Sequence, residues 1–412
     1  MRQMTRIAVT VSAALCFGLT VLTVAQTALF DVAPSIPMGG GTGQLSLADL
    51  NGDGHLDLLV DRVQQGIELR LGNGRGQFSP ASFDSLTLAQ DRPGRPLALG
   101  IDPGATALGD VNADSQPDLV AAHKDRDNEY ITVFWGDGHG FPSDGNGGLR
   151  RTKRYGTSKA FEFWKPVIRL ADVDGNGSTD IVTSNGRRNT IEILLANDRR
   201  GSGPQFIAAA VVTLTPGSSF YTFGVGDIDA DGHVDLVTTF DSTSTRVEVR
   251  RGIGNGRFQE PSGAVSVRAG ARVAAVADVN ADSRPDVVVS HADTGWMSIL
   301  LNDGRGSFTH APQSSRDLGL QTFGVVVTDV NRDGRPDVIA TTVNSRARPY
   351  DSRVAVLLGD SFAAAAGSPF PVGRGAYQLS VGDIDEDGKL DVVTSSFESD
   401  SISVLLGAER PT

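Results

Sequence analysis

The sequence predicts an all-β fold: a seven-bladed β-propeller of four-stranded antiparallel blades, with the last blade closed by the N-terminal strand. Three observations predict it. A nine-residue acidic loop recurs seven times along 412 residues. Each copy lies between short runs rich in β-branched residues, with Gly/Asn/Asp turns and no helical periodicity. The final repeat lacks one strand, and a stretch near the N-terminus has the residues to supply it.

The first loop, "DLNGDGHLD", carries Asp49, Asn51, Asp53 and Asp57; the second, "DVNADSQPD", carries Asp110, Asn112, Asp114 and Asp118. "DVDGNGSTD" follows with Asp172, Asp174, Asn176 and Asp180, then "DIDADGHVD" with Asp227, Asp229, Asp231 and Asp235. The last three are "DVNADSRPD" (Asp278, Asn280, Asp282, Asp286), "DVNRDGRPD" (Asp329, Asn331, Asp333, Asp337) and "DIDEDGKLD" (Asp383, Asp385, Asp387, Asp391). Successive copies begin 61, 62, 55, 51, 51 and 54 residues apart, the spacing of a repeat architecture.

Carboxylates crowded this closely repel one another unless a cation sits among them. Oxygen ligands at positions one, three, five and nine suit a hard cation, and the expected cofactor is Ca²⁺, up to seven ions. Position seven varies freely, as it would if only its carbonyl bound the ion. Position six is glycine in five copies and Ser115 or Ser283 in two, which predicts looser sites there. An EF-hand needs an acid at position twelve and a helix after it. Here Val60, Ala121, Thr183, Thr238, Val289, Ala340 and Thr394 stand at that position inside expected strands.

Around each loop the grammar is constant. One apolar strand ends in a small residue before the first aspartate, and a second leaves the ninth position as "DLLV", "DLVA" or "DVVV". A third alternates, as in "IELRL" and "VAVLL". Turns such as "GNGRGQF" and "NDGRGSF" then deliver a phenylalanine expected to open a fourth strand (Phe78, Phe141, Phe206, Phe258, Phe308, Phe362). Four antiparallel strands repeated seven times make a propeller. The seventh repeat ends "SVLLGAERPT" without that phenylalanine, and Phe30 is the missing one. Residues 26–38 are therefore expected to complete the seventh blade, within a single propeller domain of residues 26–412.

Residues 1–25 read as a secretory signal peptide: Arg2 and Arg6 precede an apolar stretch from Ile7 to Val24, and small residues follow. The expected location is extracellular or at the cell surface, with the periplasm as the other destination such a leader allows. No stable membrane insertion is expected after cleavage. Cys16, the one cysteine, would leave with the leader, so disulfides and thiolate catalysis are excluded from the mature chain. The formal charge is −12 with the leader. So acidic a chain makes nucleic acid a poor partner.

These loops and the turn-plus-phenylalanine segments resemble the FG-GAP/VCBS repeats. That family's seven-bladed calcium propeller also forms the head of integrin α chains. The resemblance spans the whole mature chain and implies that the D-x-[DN]-x-[DN]-G-x-x-D loop joins a blade's first two strands and binds Ca²⁺. It also implies adhesion, sugar binding or attachment to polysaccharide lyases, among which fold alone does not choose.

A search for catalysis comes back thin. The six histidines have no metal-ligand spacing, and "GDSF" (Gly359 to Phe362) has no D-x-x-H partner and stands where other repeats place a turn. The chain therefore reads as a non-enzymatic binding module, a monomer taking an extracellular glycan or protein. The alternative is a lyase-like carbohydrate-active enzyme. The longer connections, 79–104, 123–130, 142–165 and 343–353, all follow second or fourth strands and so gather on the face opposite the acidic loops. One of them holds "RRTKRYGTSKAFEFW", where Arg150, Arg151, Arg154, Tyr155 and Trp164 are the candidate ligand-binding residues. The plain reading of that run is a solvated connection whose aromatics begin the next blade.

Overall fold

The computed structural model describes residues 28–62, 66–80, 105–125, 128–136, 155–156, 167–185, 189–197, 205–214, 222–239, 245–261, 264–291, 294–311, 316–318, 321–359 and 361–408. Among these residues every regular element is a strand. They form seven antiparallel sheets whose strands pair in chain order, except that the first strands of the chain lie outside the last strand of the seventh sheet. Blade one is Thr42–Ala48, Asp57–Arg62, Gly66–Gly72 and Phe78–Pro80; blade four is Thr222–Gly226, Asp235–Thr239, Arg246–Arg250 and Ala264–Ser266. First strands of successive blades lie against each other, and that of blade seven, Ala376–Gly382, lies against that of blade one.

The core explains why second strands read as unbroken apolar runs. Each is buried on both faces, because blades stack face to face. In "DLLV" of blade one, Leu59 packs toward Leu119 and Phe134 of blade two, while Leu58 and Val60 pack toward Val393 and Val404 of blade seven. Seven such clusters occupy the seven blade interfaces, the last joining blade seven to blade one. Burying each such side chain contributes about 1.5–3 kcal/mol. The ring is thus held by seven comparable interfaces.

Closure is made by the N-terminus. Phe30–Val32 pairs antiparallel with Ser401–Gly407, with Phe30 opposite Gly407, and Ile36–Pro37 pairs further along the same strand. The Phe30 ring meets Phe370 of blade six edge-on at 5.2 Å, which locks the clasp to the neighbouring blade. Residues 1–25, read from the sequence as a signal peptide, lie outside the described residues.

Two expectations are corrected. The fourth strand does not always open at its phenylalanine. In blade six Phe362 sits in a turn with φ 51°, and the fourth strand is Phe370–Pro371; in blade four Phe258 makes an isolated bridge before Ala264–Ser266. In blade five the outer strand comes in two pieces, Phe308–His310 and Arg316–Asp317, both on Trp296–Asn302. Secondly, 123–130 and 343–353 are shorter connections than they read. Strands run on to Asp125 and Asn344 and resume at Asn128 and Asp351.

Candidate metal centres

All seven acidic loops join the first strand of a blade to the second and share one backbone course. Positions four and six both lie in the left-handed region in every copy. Position four holds Gly52, Ala113, Gly175, Ala230, Ala281, Arg332 and Glu386, with φ from 59° to 74°. At position six, Ser115 (φ 68°) and Ser283 (φ 66°) follow the same path as the five glycines. A non-glycine residue pays strain there, so something must hold the loop in place.

That something is the aspartates themselves. In all seven copies Oδ2 of the first aspartate accepts the N–H of position six, at 2.7–2.9 Å. The fifth-position side chain accepts the N–H of position seven in each copy, from Asp53 with His55 to Asp387 with Lys389. Where position three is asparagine, its amide donates to the fifth-position carboxylate and its carbonyl accepts that residue's N–H. The turns are built from side chain to backbone, which is why Asp and Asn recur.

The ninth aspartate has a second task. Asp57, Asp118, Asp180, Asp235, Asp286, Asp337 and Asp391 are all fully buried. Oδ2 of each accepts the N–H of position two in its own loop. Oδ1 of each accepts an N–H at the end of the blade's third strand, from Gly72, Gly136, Ala196, Gly252, Asn302, Gly359 and Gly407 in turn. One carboxylate therefore pins three stretches of chain. Burial pushes Asp118 up to about 7 and Asp180, Asp286, Asp337 and Asp391 up to about 6. Asp57 and Asp235 shift the same way; the backbone donors pull against burial, and the carboxylates of the same loop add to it.

In three loops one oxygen from each of positions one, three and nine lies within 4.8 Å of the others: Asp172, Asp174 and Asp180; Asp227, Asp229 and Asp235; Asp383, Asp385 and Asp391. These clusters could hold a metal ion. Two observations make the fit. The donors are all hard oxygens, and Oδ1 of Asp229 and Oδ1 of Asp383 are buried and accept no hydrogen bond. A buried carboxylate oxygen with no donor is costly unless a cation faces it. In the other four loops asparagine takes the third position, leaving Asp49, Asp110, Asp278 and Asp329 with their ninth-position partners.

The loops of blades three, four and seven also bond to the next blade. The carbonyl of position two accepts from the following blade's third-to-fourth-strand turn: Ile384 from Gly76 N–H at 3.0 Å, Val173 from Gly256 N–H at 3.2 Å. The Ile228 carbonyl accepts from the Asn302 amide at 2.7 Å. His55 of blade one bonds Glu386 of blade seven, which raises the imidazole's pKa. The glycine-rich turns thus brace the acidic loops, a role their sequence alone did not suggest.

Of the candidate ligand-binding residues, Arg150, Arg151, Arg154 and Trp164 lie outside the described residues. Tyr155 begins a two-residue strand, Tyr155–Gly156, paired with blade two's third strand opposite Ile131. Among the described residues no helix is long and apolar enough to cross a membrane.

A profile of the FG-GAP-like repeat matches residues 110–183, 172–238, 227–289 and 278–340. No curated protein matches the sequence. Among solved structures the chain is similar to BBS1N, crystallised in complex with ARL6DN and soaked with lead. That likeness has 12% identity and a TM-score of 0.55, over 93% of this chain and 98% of that one. It is similar also to a protein from Lactobacillus plantarum, again at 12% identity and a TM-score of 0.55, over 85% of this chain and 92% of that one. At such identity the likeness is one of fold alone. The chain belongs to the FG-GAP-like repeat family.

Proposed function

We propose that the chain is a secreted calcium-binding propeller that serves as an extracellular binding module for a glycan or protein. The observation that carries the reading is the sevenfold acidic loop on one face of the ring, with a buried carboxylate oxygen left without a donor in two of the copies, at Asp229 and Asp383. Calcium, when bound, would neutralise the clustered carboxylates and hold the strained loops in register. Positions one, three, five and nine would supply side-chain oxygens, and position seven its carbonyl. Recognition then falls to the opposite face, because variable connections on a rigid scaffold are where binding residues concentrate.

The test has two arms. With extracellular-type affinities of about 10⁻⁴–10⁻³ M, a site at tenfold calcium excess adds about 1.4 kcal/mol. EDTA should therefore lower the melting temperature of calcium-loaded protein by many degrees, and calcium should restore it. A glycan array probed with and without calcium should show a binder whose signal needs the folded ring. Calcium-loaded protein that melts identically in EDTA refutes the metal's structural part.

A further inference from the structure

Seven blades offer seven internal comparisons, and blade four differs at one position. The residue that ends the third strand, just before the N–H held by the ninth aspartate, is apolar in six blades: Leu71, Trp135, Leu195, Leu301, Leu358 and Leu406. It packs toward the next blade's turn. A Cβ placed on Gly76 would lie 3.1 Å from Leu406, and one on Gly256 would lie 3.0 Å from Leu195. In blade four this residue is Arg251, and a Cβ on the matching Gly306 would lie 3.2 Å from its guanidinium. The place is the same and the chemistry is not.

The guanidinium does two things there. Nη2 donates to the Arg305 carbonyl in blade five's turn at 2.7 Å. Nη1 lies 3.0 Å from Oδ2 of Asp229, the third-position carboxylate of blade four's acidic loop, whose side chain is only 9% exposed. Asp229 also departs from its counterparts. Oδ1 of Asp174 and of Asp385 accepts the N–H two residues on, whereas Oδ1 of Asp229 is buried without a donor. Blade four's loop is also one of two with four carboxylates, Asp227, Asp229, Asp231 and Asp235. The other, in blade seven, has Lys389 on Asp387, a carboxylate 32% exposed and screened by water where that of Asp229 is 9% exposed; Arg251 itself reaches in from the surface, with its side chain 37% exposed.

We infer that Arg251 is a resident counter-cation of the blade-four loop, holding that loop in shape without metal and lowering its affinity for calcium. The inference rests on the calcium reading above. Guanidinium and calcium draw on the same largely buried Asp229 carboxylate, and they repel each other beside it. Removing the guanidinium leaves four carboxylates with no cation among them until calcium arrives. Arg251 is a positioning residue: it acts through Asp229 and through the Arg305 carbonyl.

Arg251→Leu installs the side chain that five other blades already carry, so the ring has a place for it. Calcium uptake by equilibrium dialysis, with melting in EDTA and in saturating calcium, is the experiment. At intermediate free calcium the variant should hold up to about half an equivalent more than the parent, from a site tightened about tenfold. That gain should vanish when Asp227→Asn is added. In EDTA the variant should melt below the parent, and in saturating calcium level with it or above. Arg251→Gln, which keeps the length and loses the charge, should repeat both results if the leucine variant fails to fold. Superimposed uptake curves for calcium-binding parent and variant refute the inference and leave the calcium reading intact. A parent that takes up no calcium refutes both.

Discussion

The ninth aspartate separates a structural role from a metal-binding one, and blade three offers the cleanest comparison. Asp180→Asn keeps the shape and removes one acceptor. The Asp180 carboxylate takes N–H groups from both Val173 and Ala196, at 2.8 Å and 2.7 Å. An asparagine can accept only one of them and must point its amide at the other. Losing a charge-assisted hydrogen bond costs about 1.5–3 kcal/mol, and burying a facing donor adds about 1–3 kcal/mol. A loss of about 4 kcal/mol, at about 2.1 cal/mol/K per residue of unfolding entropy, lowers the melting temperature by about 5 °C if the ring melts as a unit. The loss should be present in EDTA, before any metal is involved. Asp174→Asn is the control. It occupies the third position, where four loops already carry asparagine, so it should melt with the parent in EDTA and lose only part of the calcium increment. Differential scanning calorimetry of both variants with EDTA and with calcium reads the four values. If Asp180→Asn matches the parent in EDTA, the ninth aspartate does not pin the third strand in the way its two bonds imply.

Three further outcomes follow from the same geometry. Burial raises the ninth carboxyls above the unfolded value, so the metal-free fold holds protons that the unfolded chain has released. Metal-free stability should therefore fall as pH rises from about 4 to about 7. The calcium increment, which needs the ionised form, should grow over that window. Melting at pH 5 and pH 8 with and without EDTA checks this, and an increment independent of pH counts against these ligands. Removing residues 26–36 takes away the strand on Ser401–Gly407 and exposes its edge, so the truncated chain should aggregate or lose cooperative unfolding; a soluble truncation melting like the parent argues for another closure. A combined Arg150, Arg151, Arg154→Ala variant should keep its melting temperature while losing affinity and salt dependence for an acidic polysaccharide found on the array. Unchanged binding marks that segment as a plain connection.

What could be read from the sequence was what repeats. Apolar runs after each ninth aspartate, Asp/Asn spacing and the orphaned Phe30 all follow from forces that act alike in every blade, so seven copies made each legible. What could not be read depends on contacts between distant stretches. Nothing in Ala113, Ala230, Ala281, Arg332 or Glu386 marks a left-handed residue; the conformation is imposed when the first aspartate captures N–H groups further along the loop. In blade six the fourth strand opens at Phe370, whose ring meets Phe30 of the N-terminal clasp, rather than at Phe362. Arg251 lies between these cases. Its charge is plain in "VEVRRG", yet its meaning appears only once the register places it where six other blades put an apolar side chain, within reach of Asp229 in its own blade and Arg305 in the next. A repeat protein hides its specialised position as a single departure from an aligned set, and the alignment is made by the fold.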